Sequence, residues 1–273
     1  MKRPNLLYVT DLSYPAQGRR YGDEDTALAA RLREDFDLAL CHPLDAAALM
    51  DAFDAVVVRN SGPVLNYPAE YAAFRAAARE RGTRVYNEPT GRGDMAGKQY
   101  LLDLTAEGLP VIPTVDRLAD LDVLGPAAAY AVKPRLGADS IGLVFATAEE
   151  LPGLPLDGML IQPRIPLRYE VSFYYLDRAF QYALYAPDPA RRWELAVYDP
   201  TAEDLAFADR IIAWNTMERG IQRVDACRTP EGALLLVELE DLNPYLSLDL
   251  VPPAVRESFT AAFKTALHGL IAA

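Results

Sequence analysis

The stretch LLLVELEDLNPYL, residues 234–246, begins as a buried strand and then sets Glu238, Glu240 and Asp241 within four residues. Carboxylates inside an apolar strand repel one another and resist desolvation, so a fold that keeps them must have a use for them. Upstream, RVDACR (223–228) runs into the turn TPEG (229–232), and the whole of 222–240 reads as a β-hairpin. With TPEG as the loop, Arg228 faces Ala233, Arg223 faces Glu238 and Asp225 faces Leu236. Period-two alternation then projects Arg223, Asp225, Glu238 and Glu240 from one face, and turns Val224, Ala226, Leu235, Val237 and Leu239 to the other. Three carboxylates beside an arginine suit a hard divalent cation such as magnesium, which takes carboxylates together with phosphate oxygens and water. The plainer alternative is a solvated polar face with an Arg–Glu cross-strand pair. The apolar remainder of the strand favours the cation.

Working outward, the first ninety residues alternate apolar runs with helical periodicity. NLLYVT (5–10) and AVVVRN (55–60), with the weaker LALCH (38–42) and TRVYN (83–87), suit parallel strands buried on both faces. Between them, residues 23–34, 45–53 and 67–82 carry helical spacing, with Gly82 as a stop. This is a doubly wound α/β pattern. EPTGRGDMAG (88–97) reads as a glycine-rich linker, its RGD included, and GKQYLLDLTAEG (97–108) as a helix. Beyond Tyr130 antiparallel β-structure is expected, with a hairpin at 169–186 turning at Leu176–Arg178. A helix over 200–220 is capped by Thr201 and stopped by Gly220, and another closes the chain over 253–273. The fold class is therefore an N-terminal α/β domain with a parallel sheet, followed by α+β domains with antiparallel sheets.

The chain has 273 residues and a net charge of −12, which argues against nucleic acid, whose binders are basic. No run approaches transmembrane length and the start has no signal-peptide pattern, so a soluble cytoplasmic protein without a membrane partner is expected. The two cysteines, Cys41 and Cys227, read as buried apolar thiols. Oligomerisation is left open.

AVKPRLGADSIGL (131–143) is the second informative stretch: Lys133 ends an apolar strand, and a loop with Gly137, Ser140 and Gly142 follows. Small residues allow backbone amides to approach phosphate oxygens, although a plain β-turn would use them equally well.

In order along the chain, GKQYLLDLTAEGLPVIPT, AVKPRLGADSIGL, LIQPRIPLRYEVSF, IQRVDA and LVELEDLNP resemble the ATP-grasp superfamily, within its glutathione-synthetase-like branch. They are most similar to short bacterial ligases acting on amino acids, such as the cycloserine-forming cyclo-ligases. The resemblance implies an N-terminal domain over 1–90, a small or lid subdomain over 91–157 and a C-terminal subdomain over 158–273. It implies ATP and Mg2+ as cofactors. Lys98 and Lys133 would meet ATP phosphates, and loop 135–142, with Gly137 and Ser140, would fold over them. Gln162, Pro163, Arg164 and Ile165 would hold adenine, and Glu170 would lie near the ribose or beside that adenine-holding hinge. Asp225, Glu238 and Glu240 would hold magnesium, while Arg223 would face the transferred phosphoryl group or the acyl intermediate, with Lys133 as the second catalytic residue. Many relatives carry asparagine where this chain has Glu240, with Asn243 further on.

The activity implied is a carboxylate–amine ligase that activates a small amino-acid-like carboxylate as an acyl phosphate. Phosphoryl transfer needs positioning and charge neutralisation more than a protein nucleophile, which fits a chain with two histidines and no triad. The alternatives are an ATP-binding sensor or scaffold without turnover, and a ligase that modifies a peptide or protein tail. Open α/β sheets bind ligands beyond the carboxyl ends of their strands. This points to Arg19 and Arg20, and to Arg59 at the tip of its strand, as substrate contacts. Asn243, after the carboxylate hairpin, is a further candidate contact. For Arg19 and Arg20, surface charge balance explains the residues equally well.

Overall fold

A computed structural model describes residues 3–16, 19–59, 66–137, 141–188, 190–191 and 194–273, without the side chains of residues 15, 16, 19 and 20. Ser140 and the side chains of Arg19 and Arg20, all singled out above, lie outside the described residues.

The expected N-terminal strands form one parallel sheet: β1 (Asn5–Val9), β2 (Asp37–Cys41), β3 (Ala55–Val58) and β4 (Val85–Tyr86), in the order β2-β1-β3-β4. Every residue of β3 is buried, as a strand covered on both faces requires. Helix α1 (Tyr21–Leu32) follows β1, and α2 (Pro68–Arg81) starts on proline and stops at Gly82. Gly82 takes φ 65°, the left-handed conformation expected at that cap.

Next come α3 (Gln99–Ala106) and a three-stranded antiparallel sheet of β5 (Tyr130–Pro134), β6 (Val144–Ala146) and β7 (Met159–Pro163), with β5 in the middle. Because β7 pairs with β5, this sheet runs past the 157/158 boundary placed from the sequence. Likewise α3 packs not on this sheet but in the core of the larger one, through Tyr100, Leu101 and Leu104.

The larger sheet is antiparallel, in the order β10-β9-β8-β11-β12: β8 (Tyr169–Leu176), β9 (Ala179–Ala186), β10 (Ala196–Tyr198), β11 (Ile221–Arg228) and β12 (Leu234–Glu240). One face is covered by α3 and α4 (Ala202–Asn215). The other meets α5 (Pro253–Ala272) and a face of the parallel sheet through Tyr174, Tyr182, Phe259 and Tyr8. Thr201 caps α4 as expected, exchanging hydrogen bonds with Asp204. The helix ends earlier than expected, where Thr216 at φ 63° turns the chain, so Gly220 is not its stop.

The 88–97 segment is no free linker. The Asp241 carboxylate accepts the amides of Gly93 (2.7 Å) and Met95 (3.0 Å), and the Asp94 carboxylate accepts the amides of Asp241 (2.7 Å) and Leu242 (2.9 Å). A Cβ on Gly91 would lie 2.2 Å from Asp241 Oδ2, so glycine is needed there for close packing. Cys227 is buried as expected, whereas Cys41 is half-buried.

Candidate active site

The β11–β12 hairpin differs from the register read off its turn. Arg228 pairs with Leu234, and a bulge between Asp225 and Ala226 moves the pairing on by one further residue. Arg223 therefore stands opposite Glu240, and Asp225 opposite Glu238. The bulge also rephases β12: Leu234, Leu236 and Leu239 enter the core, while Leu235 and Val237, expected there, are half-buried. Downstream of the bulge the acidic face is as expected. Asp225, Glu238 and Glu240 each offer a carboxylate oxygen, and these lie within 4.8 Å of one another.

Arg223 organises this cluster. It gives Asp225 two hydrogen bonds of 2.8 Å, Glu240 one of 2.5 Å and the Tyr245 carbonyl one of 3.0 Å. Ser172, directly across on β8, donates to Asp225 Oδ1 at 2.6 Å. Sequence reading missed Ser172, although the alternation of YEVSF opposite RVDA was the signal that could have found it. Burial pushes the Glu240 carboxyl up to about 8 despite the nearby Arg223. Oxygen-only ligands at this spacing, partly buried, fit a magnesium-sized ion and its waters. Asp241, third of the clustered acids, points the other way, into the 91–95 turn.

Beside the cluster is a cavity of about 770 Å³ between the small and large sheets. Lys98, Lys133, Gly137, Gln162, Pro163, Arg164, Ile165, Glu170 and Glu238 all line it. Lys98 precedes α3, its amide bound to the Arg135 carbonyl at 2.9 Å and its ammonium paired with Glu238. Lys133 points in from β5; burial, with Lys98 nearby, pushes its ammonium down to about 7. The Gln162 side chain donates to Thr114 Oγ1 at 2.8 Å, so its amide nitrogen is tied within the protein while residues 162–165 line the cavity. Arg164 lies over the Phe145 ring, 4.9 Å from its centroid. Phe145 is 54% exposed and Ile141 67%, apolar side chains displayed toward the cavity; the motif reading missed both.

The proposed acceptor contacts fare differently. Arg59 is fully buried, and each guanidinium nitrogen is engaged within the protein: Nε to Asp25 (3.2 Å), Nη1 to the Pro244 carbonyl (3.0 Å) and Nη2 to Glu24 (3.4 Å). In this conformation it is not offered to a substrate: Glu24 and Asp25, on the first turns of α1, draw it inward. Asn243 is buried in the turn after Glu240.

No protein-family model matches the sequence. No curated protein matches it. Among solved structures it is similar to D-cycloserine synthetase DcsG, with TM-score 0.73 and 22% identity over 98% of this chain and 99% of that one. D-alanine–D-alanine ligase from Bacillus anthracis, complexed with ATP, gives TM-score 0.66 and 13% identity over 98% and 96%. The ATP-grasp ligase PsnB, complexed with a precursor variant, Mg and ADP, gives 0.66 and 14% over 96% of each chain. The cavity between two antiparallel sheets, the carboxylate hairpin on its wall and the whole-length superposition agree: this chain has the ATP-grasp fold.

Proposed function

We propose that the protein is an ATP-dependent carboxylate–amine ligase that activates a small amino-acid-like carboxylate as an acyl phosphate, with release of ADP and phosphate. One observation carries the reading: Glu238 belongs both to the three-carboxylate cluster and to the wall of the cavity that holds Lys98, Lys133 and residues 162–165. Cation ligands and phosphate-binding cations thus share one site. Structural neighbours described with ATP, and with Mg and ADP, support this use of it.

In this reading the 162–165 backbone and Phe145 hold adenine, Glu170 lies by the ribose, and Lys98 and Lys133 meet the phosphates. Gly137 leaves room for the chain to approach them. Asp225, Glu238 and Glu240 hold magnesium, which supplies positive charge at the phosphate oxygens. The substrate carboxylate attacks the γ-phosphorus, the bond to the β-phosphate oxygen breaks, and an amine then displaces phosphate from the acyl carbon. Arg223 donates hydrogen bonds where charge develops. The test is phosphate release from ATP and Mg2+ across a panel of amino acids and short peptides. Release that depends on an added carboxylate supports the ligase. Tight ATP binding with no turnover across the panel supports a nucleotide sensor or scaffold instead.

A further inference from the structure

Burying an arginine with two acids is expensive, and an apolar filling would serve stability as well. Arg59, fully buried, and its acids on α1 therefore call for another role. The place they reach is the turn 244–248, remote in sequence and next to the carboxylate hairpin. Arg59 donates to the Pro244 carbonyl at 3.0 Å. Glu24 accepts the Leu246 amide at 2.8 Å and the Leu248 amide at 3.4 Å. From the other side, Arg223 donates to the very next carbonyl, that of Tyr245, at 3.0 Å, and the Tyr182 hydroxyl donates to the Leu246 carbonyl at 2.7 Å. Two arginines thus hold adjacent carbonyls of one short backbone segment. Ser247, at φ 51°, holds a conformation that favours glycine, so the turn keeps its shape only while its surroundings impose it.

We propose that Arg59 and Glu24 are positioning residues: by fixing the 244–248 turn from the parallel-sheet side, they set the Tyr245 carbonyl that orients the Arg223 guanidinium over Asp225 and Glu240. The role in turnover rests on the ligase reading above; the geometric role does not. Coupling runs through backbone, from the end of β3 and the start of α1 to the hairpin, so the parallel-sheet domain shapes the reaction centre.

The test uses Glu24→Gln and Arg59→Lys in the full chain. A glutamine amide has one acceptor oxygen for the three donors that Glu24 serves, and a lysine lacks the fork that spans Asp25, Glu24 and Pro244. Three quantities are measured: metal-free ADP affinity, phosphate release with its kcat and KM, and the Arg223 Nε–H resonance with its solvent exchange. Expected are ADP affinity within about twofold of wild type, kcat lower by about tenfold or more with little change in KM, and a shifted, faster-exchanging Arg223 signal. An unmoved Arg223 signal in both variants overturns the proposal, whatever happens to turnover. A wild type inactive on every substrate tested refutes the ligase reading alone, and the resonance still decides the clamp.

Discussion

Arg223 and Asp225, two residues apart on one strand, are joined by a fork: Nε to Oδ1 and Nη2 to Oδ2, both 2.8 Å. The same guanidinium also holds Glu240. Lysine keeps the charge at this position but loses the planar fork. Arg223→Lys should lower phosphate release by on the order of 100-fold, the scale of removing one preorganised donor from a reaction centre. Steady-state kinetics checks it, with circular dichroism to show that the fold persists.

Lys133 should take up a proton when nucleotide binds. Burial and Lys98 push its ammonium down to about 7. Phosphate oxygens favour the charged form and raise that value again, so at pH 8 ADP binding in EDTA should draw a proton from the buffer. Calorimetry in buffers of different ionisation enthalpy reads it directly. Lys133→Met should abolish the uptake and weaken ADP by more than tenfold, about 1.4 kcal/mol or more.

Asp94 makes a stability prediction. Burial and the neighbouring Asp241 push its carboxyl up to about 8 in the folded chain, against about 4 unfolded. Between those values the folded state retains a proton that the unfolded state has lost. Stability from this group is therefore full below about pH 4, declines by up to about 1.4 kcal/mol per pH unit, and is flat above about 8. Asp94→Asn mimics the protonated acid and keeps an oxygen for the Asp241 and Leu242 amides. Denaturant unfolding from pH 5 to 8 should show the variant losing that slope and gaining on wild type as pH rises.

How much of this was legible in the sequence depends on how local each cause is. The parallel strands were readable because continuous apolar runs such as 55–58 admit no other burial. The Gly82 stop and the Thr201 cap were readable because each acts within one turn of its own helix. Lys98, Lys133 and the 162–165 stretch were found through ordered motifs, and they do meet in one cavity. The bulge beside Asp225 was not readable: nothing in DACRTPEGALLLV marks it, and its reason lies in packing, since it puts Leu236 and Leu239 on the core side together. Arg59 was misread because a strand tip implies exposure, whereas its partners come from α1 and from Pro244, 185 residues away. The 88–97 segment looked like a linker because glycines signal flexibility, yet here they admit Asp241 at close range.

The central claim is that the hairpin carboxylates hold a cation which in turn holds a nucleotide. The most direct test is ADP affinity with and without Mg2+, compared between wild type and Glu238→Ala. Wild type should bind ADP more tightly when Mg2+ is present, and the variant should lose most of that gain while remaining folded. An equal Mg2+-dependent gain in the variant would contradict the account.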